Sequence, residues 1–415
     1  MKTPAIAIIG LGKMGQSVIH HVKKTGHKLI AAVEINLERG KEVLNNAKIK
    51  YKVANDLEKA RKILDEGETV LTHRYDLALE IEEVNVIIDA TGNINAGAHI
   101  AWKGIVKKKN MVMLNAELDA TVGPILALMA RSTGVVYTGD LGDEPGTIMY
   151  YLYKPLTEIG LDVIVAGKGK NNPLNPHVSP SDLSEMSKRV DLNPRMLTSF
   201  VDGTKTMIEM TILSNATGLI PDVRGMHGPT SDLASLTRLY RLKIDGGILN
   251  QLHVVDYVIG IAPGVFAIAT TDDDVIMANL KYLKVGEGPN FLFYRPYHLP
   301  GSETLLSAVK AVVENKPVIQ AVGYYSETVA VAKRDLEVGE KLEGIGGSTV
   351  YGIIEKREIT SETGMLPIGL VEGAILRRSV EKDEILTLDD VEIPNKLVYD
   401  LWEIQQKVCK QQVLL

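Results

Sequence analysis

Two lysines near the middle of the chain could carry out proton transfer. Lys168 and Lys170 stand beside Asn171 and Asn172 in a segment that we expect to be the loop after a strand. The pKa of lysine, ordinarily about 10.4, falls when the amine is buried or lies beside another cation, and the amine can then act as a general acid or base. We therefore predict catalytic roles for Lys168 and Lys170, the alternative being a basic surface loop that binds nothing.

A second pair of charges lies on a predicted helix from 203 to 213. Lys205 and Glu209 are four residues apart and so share one face of that helix. The helix is otherwise rather apolar, which places these charges on a partly buried element, and buried charge needs a partner or a function. We predict a proton donor in Lys205 and an orienting carboxylate in Glu209. The alternative is an ordinary helical ion pair.

Polar side chains elsewhere could bind an anionic substrate. A guanidinium can hold a carboxylate or a phosphate through two hydrogen bonds, and a histidine can carry a proton. The predicted substrate-binding residues are Asn171, Asn172, Asn215, His227, Arg295 and His298. His227 could instead cap a turn, and Arg295 could form an interdomain salt bridge. We predict no metal site, because the acidic run 272–274 resembles a turn, although a divalent metal is left open.

The first fifteen residues contain a dinucleotide-binding motif. An apolar run at 6–9 leads into Gly10-x-Gly12-x-x-Gly15, and a predicted helix follows. The first glycine permits a tight turn, the second lets the backbone approach a pyrophosphate, and the third lets the helix pack closely on the strand. The pyrophosphate would accept hydrogen bonds from the helix N-terminus. The predicted cofactor-binding residues are Gly10, Gly12, Lys13, Met14, Gly15, Glu34, Thr91, Gly92, Asn115, Glu117 and Gly142.

Glu34 bears on which cofactor is bound. It ends the second predicted strand, at about the spacing of 20 residues that the ribose-binding acid of this motif takes. Its carboxylate can accept both ribose hydroxyls and would repel a 2′-phosphate. We expect NAD to be preferred. NADP stays an alternative, because Arg39 could pair with a phosphate.

Several domains are needed to position these residues, as the length of 415 residues also indicates. The fold class is α/β: alternating strands and helices predict a Rossmann-type doubly wound parallel sheet, in which a helix begins at Gly123–Pro124. After a short strand at 161–166, later strands at 251–261 and 266–270 look antiparallel, and this region predicts an α+β domain. The predicted domains are 1–155 (dinucleotide-binding, with helix 303–320 packing back on it), 156–302 (catalytic and substrate-binding), 324–395 (a small all-β module) and 396–415 (a terminal helix, 397–410).

Composition excludes some classes of partner. The chain has 46 basic and 52 acidic residues, a net charge of −6 and no long basic stripe, which argues against nucleic acid. No apolar run reaches about 18 residues and no leader is evident, so we expect a cytoplasmic protein with no membrane partner. Its one cysteine, Cys409, excludes an internal disulfide. We also expect a homo-oligomer.

Six segments are the most distinctive of the chain: 115–124, 142–146, 167–172, 200–205, 215–218 and 294–299. With them, the N-terminal domain resembles that of homoserine dehydrogenases, and residues 324–395 resemble a SAF module. The combination is similar to the homoserine-dehydrogenase-like oxidoreductases with a SAF domain, which include 1-deoxy-D-xylulose 5-phosphate reductoisomerase-like enzymes and D-apionate oxidoisomerases. Homoserine dehydrogenases generally carry a lysine after the asparagine of the fourth strand, where this chain has Ala116 and Glu117. That departure argues against homoserine as the substrate.

Two functions from different classes follow. The first is an NAD(P)-dependent oxidoreductase acting on a small anionic hydroxylated substrate, a sugar acid or a sugar phosphate, with a rearrangement of the carbon skeleton in the reductoisomerase and oxidoisomerase case. Homoserine dehydrogenase is the alternative within this class. The second is a non-catalytic NAD-responsive regulator or scaffold. The charges of the SAF-like module are scattered among turns, so we expect it to supply no proton-transfer group and its deletion, 324–415, to leave the dinucleotide fold formed.

Overall fold

The computed structural model describes residues 3–171 and 174–409. The chain divides into two compact units. The first comprises Met1–Gly146, Leu299–Gln320 and Asp400–Val408, and the second comprises Thr147–His298, Ala321–Tyr399 and Cys409–Leu415. Among the described residues, none of the helices combines the length and the apolar character needed to cross a membrane.

The secondary structure alternates over the first third of the chain and becomes irregular later. The strands are β1 (Ala5–Ile9), β2 (Lys28–Val33), β3 (Tyr51–Val53), β4 (Thr69–Thr72), β5 (Val86–Asp89), β6 (Asn110–Met113), β7 (Tyr137–Gly139), β8 (Asp162–Lys170), β9 (Ile220–Pro221), β10 (Val254–Ile259), β11 (Val265–Thr270), β12 (Phe291–Arg295), β13 (Ser326–Ala332), β14 (Val350–Lys356), β15 (Ile375–Leu376) and β16 (Val391–Glu392). The α-helices are α1 (Lys13–Thr25), α2 (Leu37–Asn46), α3 (Leu57–Asp65), α4 (Tyr75–Glu80), α5 (Ile94–Val106), α6 (Ala116–Thr133), α7 (Glu144–Ile148), α8 (Lys154–Glu158), α9 (Ser184–Val190), α10 (Pro194–Val201), α11 (Thr204–Thr217), α12 (Leu236–Leu239), α13 (Asp274–Tyr282), α14 (Thr304–Val309), α15 (Arg357–Thr363) and α16 (Leu397–Val408). Met149–Tyr153 and Lys310–Glu314 are π-helical turns.

The first unit is built on a parallel sheet of seven strands in the order β3-β4-β2-β1-β5-β6-β7. Its central strands are apolar runs buried on both faces, which is typical of a sheet covered by helices on both sides. Chain order reverses at β1, so the carboxyl ends of β1 and its neighbours form the crevice in which such sheets bind ligands. The predicted Rossmann-type fold is confirmed. Leu305, Ala308 and Val312 also lie in the apolar core of this unit.

Helix α6 begins earlier than expected and is kinked. It starts at Ala116, and Val122 has non-helical angles just before Pro124, so only the part after the kink begins where the sequence indicated. The kink separates Thr121 O from Ile125 N, which a regular helix would join. The buried Gln405 side chain satisfies both: its Oε1 accepts from Ile125 N at 3.1 Å and its Nε2 donates to Thr121 O at 3.0 Å.

The second unit contains a mixed sheet in the order β12-β11-β8-β10-β9. β8 runs parallel to β10 and antiparallel to β11, so β10 and β11 run in opposite directions on either side of β8. The apolar side chains of α11 pack on one face of the sheet, including Met207 and Met210. This helix runs to Thr217, four residues beyond the prediction.

The region 324–395 forms two small antiparallel pairs, β13 with β14 and β15 with β16, together with α15 and short turns. Strand β13 is buried along its whole length. Its hydroxyls meet those of α11: Thr328 pairs with Thr211 at 2.8 Å, and Ser326 pairs with Ser214 at 2.6 Å. Helix α16 ends at Val408, and Lys410 lies outside the described residues.

Candidate functional site

The glycine turn after β1 is shaped for a ligand at one of its three glycines. A Cβ on Gly10 would lie 2.7 Å from Ala90 O, and Gly10 has a φ of +92°. A Cβ on Gly15 would clash with Gly10 O, so these two positions need glycine to close the strand–turn–helix unit. A Cβ on Gly12 would meet only the Arg39 guanidinium, at 3.9 Å. Glycine at position 12 therefore keeps open a space outside the protein backbone, as a pyrophosphate requires.

Helix α1 presents its N-terminus at that space. It begins at Lys13, which is exposed, and Met14 is half-buried. Gly12, the N-cap residue, has no side chain to satisfy the first N–H groups of the helix, which in this fold donate to phosphate. Glu34 braces the same turn: its Oε2 accepts from Leu11 N at 2.9 Å and its Oε1 accepts from Asn36 N at 3.1 Å.

The strand ends next to the glycine turn are held by a buried carboxylate. Asp89 accepts from Thr91 N and Thr91 Oγ1, at 2.9 and 2.7 Å, and from Asn115 Nδ2 at 3.2 Å. Burial raises the pKa of Asp89, and the hydrogen bonds from Thr91 and Asn115 oppose that rise. Asn115 is fully buried and also donates to Asn93 O at 2.9 Å, so it orders the 89–93 loop, whereas Gly92 is exposed.

Two further predicted cofactor residues lie in the same unit. Gly142 is buried, and a Cβ there would clash with Leu299 O. The close passage of that backbone accounts for a glycine at position 142, and its assignment to the cofactor stays a prediction. Glu117 lies in the first turn of α6 and is half-buried.

A buried cluster of charges joins β8 to α11 in the second unit. Lys168 donates to Glu209 Oε2, and the side chains of both residues are less than a tenth exposed. Lys205 Nζ lies 3.9 Å from Glu209 Oε1. One carboxylate thus bridges two lysines from different elements. A carboxylate and an amine this deeply buried are costly unless paired, and such pairs are common at sites of proton transfer.

The local sequence explains why both lysines of β8 face α11. β8 continues to Lys170, four residues beyond the predicted strand, so Lys168 and Lys170 lie on a strand and not on the expected loop. Successive residues of a strand face opposite sides, so Lys168 and Lys170 share one side. Gly167 and Gly169 occupy the other side, where a Cβ would clash with the backbone of Asp256 and of Ala262.

Lys170 is the lysine best suited to exchange a proton. Its Nζ donates to Phe200 O at 2.6 Å, and the residue is 4% exposed. Burial and the neighbouring Lys168 lower the pKa of Lys170 to about 8, against the opposing effects of Asp202 and Glu209. Near neutral pH both the amine and the ammonium are therefore populated, as efficient general acid–base catalysis requires.

The register of the sheet places Arg295 and a tyrosine in line with Lys168. Lys168 pairs with Val265 on β11 and with Tyr257 on β10, and Val265 pairs in turn with Arg295 on β12. Paired residues of neighbouring strands share a face and lie about 4.8 Å apart along the sheet. The four side chains form one row on the face that packs on α11. Burial, with the charge of Asp256, raises the pKa of Tyr257 to about 12.

Arg295 is held between two aromatic rings. Its guanidinium lies 4.0 Å from the centroid of Tyr151 and 4.4 Å from that of Tyr297. These rings fix the plane of the guanidinium, which suits a carboxylate or phosphate ligand. His298 Nδ1 lies 2.9 Å from Pro263 O, which makes this nitrogen the donor and fixes the tautomer of the neutral ring.

His227 lies near the other end of the row. The next residue, Gly228, packs so closely on the Tyr257 ring that a Cβ there would clash with it. His227 Nε2 lies 2.7 Å from the buried Asp222 Oδ2. Burial raises the pKa of Asp222, but hydrogen bonds from Asn250 and His227 bring it below the ordinary value. Burial raises the pKa of Asp256, which accepts from the Gly228 backbone, to about 6.

The predicted asparagines differ in their settings. Asn171 is exposed after the end of β8, and Asn172 lies outside the described residues. Asn215 is buried in α11, where its Nδ2 donates to Ser326 O at 3.2 Å and its Oδ1 accepts from Tyr325 N and Ser326 N at 2.7 and 3.0 Å. This side chain is used within the protein. These hydrogen bonds position the segment that leads into β13, and the assignment of Asn215 to substrate binding stays a prediction.

Several residues of the cluster were not predicted from the sequence. Tyr257 belongs to an apolar strand, and only the parallel pairing with β8 connects it to Lys168. Tyr151 and Tyr297 are far apart in sequence and meet only at Arg295. Asp222 accepts a hydrogen bond from Asn250 N, and Asp256 accepts one from Gly228 N. These bonds likewise depend on tertiary contacts.

Three protein families match successive parts of the chain. Residues 5–123 match the NAD binding domain of 6-phosphogluconate dehydrogenase, residues 142–304 match "Oxidoreductase DRL, catalytic domain", and residues 327–392 match the SAF domain. The middle of the chain therefore resembles the catalytic domain of that oxidoreductase family. The order of these three matches confirms the resemblance to dehydrogenase-like enzymes with a C-terminal SAF domain.

The relatives of the chain are distant. A homoserine dehydrogenase from Bacillus subtilis (strain 168) is 26% identical over 134 residues, which are 32% of this chain and only 28% of that protein. Among solved structures, a probable dehydrogenase from Thermotoga maritima has a TM-score of 0.43 and 12% identity, covering 75% of this chain and 90% of its own. A 1-deoxy-D-xylulose 5-phosphate reductoisomerase from Zymomonas mobilis in complex with NADPH has a TM-score of 0.41 and 11% identity, covering 76% and 82%.

Proposed function

We propose that the chain binds a nicotinamide dinucleotide in its first unit and interconverts a hydroxyl and a carbonyl group of a small anionic substrate, a sugar acid or a sugar phosphate. The observation that carries the proposal is the buried cluster of Lys168, Lys170, Lys205 and Glu209. A scaffold that merely bound a dinucleotide would have no use for three lysines around one buried carboxylate, because the burial of each charge costs folding free energy.

The residues around the glycine turn fit a dinucleotide. The space over Gly12 and the N–H groups at the start of α1 suit the pyrophosphate. When bound, the nicotinamide would supply or accept the hydride. Thr91 and Gly92 follow β5 at the crevice of the sheet and would line the cofactor.

Lys170 is proposed to exchange the proton at the substrate oxygen. During oxidation of the alcohol the neutral amine accepts the proton, so kcat/KM should rise with pH through about 8, the pKa of Lys170. During reduction the ammonium donates the proton, so kcat/KM should fall above about 8. The Glu209 carboxylate holds Lys168 and Lys205, and these two cations would orient the oxygen atoms of the substrate.

Arg295 is proposed to bind the anionic group of the substrate. It lies in the same row as Lys168, and the rings of Tyr151 and Tyr297 already hold its plane, so little side-chain entropy is lost on binding. A substrate that contacts both Arg295 and Lys168 would carry its anionic group a few carbon atoms from the reacting carbon. His298 and the exposed Asn171 would contribute further hydrogen bonds.

The test is a panel of sugar acids and sugar phosphates, with homoserine included, assayed in both directions by the absorbance of the reduced nicotinamide. Each reaction is run with and without a divalent metal, and products are examined by NMR for a rearranged carbon skeleton, which we propose as part of the reaction. Lys168→Met and Lys170→Met should each lower kcat by roughly 10²-fold or more. Binding of the cofactor without turnover of any compound in the panel would favour the regulator instead.

We further propose that NAD(H) binds more tightly than NADP(H). Each carboxylate oxygen of Glu34 accepts one backbone hydrogen bond and keeps a lone pair for a ribose hydroxyl. Fluorescence titration with NADH and NADPH should show which residue sets the cofactor preference, when Glu34→Ala is compared with the matched variant Arg39→Ala. Glu34→Ala should weaken NADH binding and Arg39→Ala should not. Tighter binding of NADPH by the wild type, lost in Arg39→Ala, would reverse the assignment.

A further inference from the structure

Lys333, at the end of β13 in the SAF module, is a buried lysine with three partners. Its Nζ donates to Val178 O at 2.8 Å and to Gly347 O at 2.7 Å. It also forms an ion pair with Asp202 at 2.8 Å, and the side chains of the two residues are 1% and 0% exposed. An ammonium group removed from water in this way needs polar partners, and Lys333 has two carbonyl oxygens and one carboxylate.

The three partners come from three separate segments. Val178 lies in the segment that follows β8, Asp202 lies in the turn between α10 and α11, and Gly347 lies in the glycine-rich stretch of the SAF module. The segment after β8 is joined to the same turn by a hydrogen bond from Asn175 N to Val201 O at 3.0 Å. Lys333 therefore joins the segment that follows β8 to the turn that precedes α11. The residues of the lysine cluster lie on these two elements, β8 and α11.

The turn at 200–204 is in direct contact with that cluster. Phe200 O accepts the hydrogen bond from Lys170, two residues before Asp202. Asp202 Oδ1 accepts from Thr204 N at 2.8 Å, and Thr204 Oγ1 in turn accepts from Gly352 N of the module at 2.8 Å. The SAF module thus fixes the turn at both Asp202 and Thr204, and α11, with Lys205 and Glu209, begins there.

We infer that Lys333 is a positioning residue of the lysine cluster: it pairs with the buried Asp202 and holds in place the turn whose Phe200 carbonyl binds Lys170. This inference rests on the proposed role of Lys170. It assigns to the SAF module a part in setting the chemistry of the site, without a proton-transfer group of its own.

The electrostatic part follows from two linked effects. Burial raises the pKa of Asp202, and the ion pair with Lys333 opposes that rise. The negative charge of Asp202 raises the pKa of Lys170, whereas burial and Lys168 lower it. Without Lys333, Asp202 would take up a proton, since a buried carboxylate with no counter-charge neutralises itself. The pKa of Lys170 would then fall further below its ordinary value.

The charged and titratable groups around Lys170 come from each neighbouring element. They are Lys168 from its own strand, Tyr257 from β10, Lys205 and Glu209 from α11, Asp202 from the turn, and, behind Asp202, Lys333 and the more distant Asp182. Among these described groups, Asp202 and Glu209 are the two that raise the pKa of Lys170. A change at Lys333 reaches Lys170 through Asp202.

The test compares Lys333→Met, Lys333→Arg, Asp202→Asn and the double variant Lys333→Met/Asp202→Asn in the full-length chain. The pKa of Lys170 is read by NMR titration of protein labelled at the lysine side chains, with its signal assigned from Lys170→Met. This readout needs neither substrate nor cofactor, so it remains informative if the proposed reaction fails. Circular dichroism confirms folding, and NADH titration confirms that the first unit is intact.

We expect Lys333→Met and Asp202→Asn each to move the Lys170 titration to lower pH, by half a unit or more as an order-of-magnitude expectation from a lost neighbouring charge. The double variant should show no larger shift than either single variant, and Lys333→Arg should titrate like the wild type. With an active substrate, the pH dependence of kcat/KM should move in parallel. A Lys170 titration unchanged in folded Lys333→Met would reduce Lys333 to a purely structural role and overturn the inference, as would additive shifts in the double variant.

Discussion

Glu209→Gln tests the lysine cluster most directly, because it removes one charge and almost no volume. The Glu209 side chain is 3% exposed and contacts both Lys168 and Lys205. Removing one partner from a buried ion pair costs about 3–5 kcal/mol, since the remaining charge stays buried without compensation. The loss also acts on Lys170, whose pKa Glu209 raises. In Glu209→Gln that pKa should therefore fall below its wild-type value of about 8.

The expected consequences for Glu209→Gln are distinct. Stability should fall by a few kcal/mol, and kcat should fall by roughly 10²-fold or more because the lysines lose their orientation. For reduction, which needs the ammonium form of Lys170, the alkaline decline of kcat/KM should begin at lower pH than in the wild type. Glu355→Gln is the matched control, because it removes an equally buried carboxylate from an ion pair with Arg224. A Glu209→Gln enzyme with wild-type kcat and pH dependence would refute the catalytic assignment of the cluster.

Three further outcomes are expected. Gly12→Val should abolish NADH binding in a folded protein, because a Cβ at position 12 meets only the Arg39 side chain, at 3.9 Å, and the valine would fill the space for the pyrophosphate; retained affinity would place the nucleotide elsewhere. Arg295→Lys should raise KM more than it lowers kcat, since an ammonium cannot bind an anion in the same planar, two-point manner; equal KM values would show that Arg295 does not bind substrate. Gln405→Met should destabilise the first unit by about 2–5 kcal/mol, because Ile125 N and Thr121 O both lose their partner, and thermal unfolding or hydrogen exchange in α6 would measure it; full protection of α6 would contradict this.

The first unit could be predicted from the sequence because its signals are local. An apolar strand, the three glycines and an amphipathic helix follow one another within a few tens of residues, and two of the glycines are required by close backbone contacts. Position 12 shows the difference between the two kinds of glycine. Gly10 and Gly15 are needed to fold the turn, whereas Gly12 is needed only if something else approaches it.

The second unit was harder to predict because the order of strands in its sheet depends on pairing between residues that are far apart in the sequence. The alternation of glycine and lysine at 167–170 reads as a loop by composition, yet it extends β8, with the glycines facing neighbouring backbone and the lysines facing α11. Only the register of β8 with its neighbours then places Arg295 and Tyr257 in the row of Lys168. No local pattern encodes that register.

The C-terminal residues change how a deletion of the SAF module must be designed. Removal of 324–415 was expected to leave the dinucleotide fold formed, since every strand of that fold precedes residue 150. Asp400–Val408, however, belongs to the first unit, and Gln405 satisfies the backbone at the kink of α6. The kink follows from Pro124, so the glutamine compensates for a defect that the sequence of the first unit itself creates. Loss of cofactor binding after removal of 324–415 would therefore reflect the missing Gln405 as much as the missing module. The substitutions at Lys333 avoid this ambiguity, because they leave α16 intact and act only within the second unit.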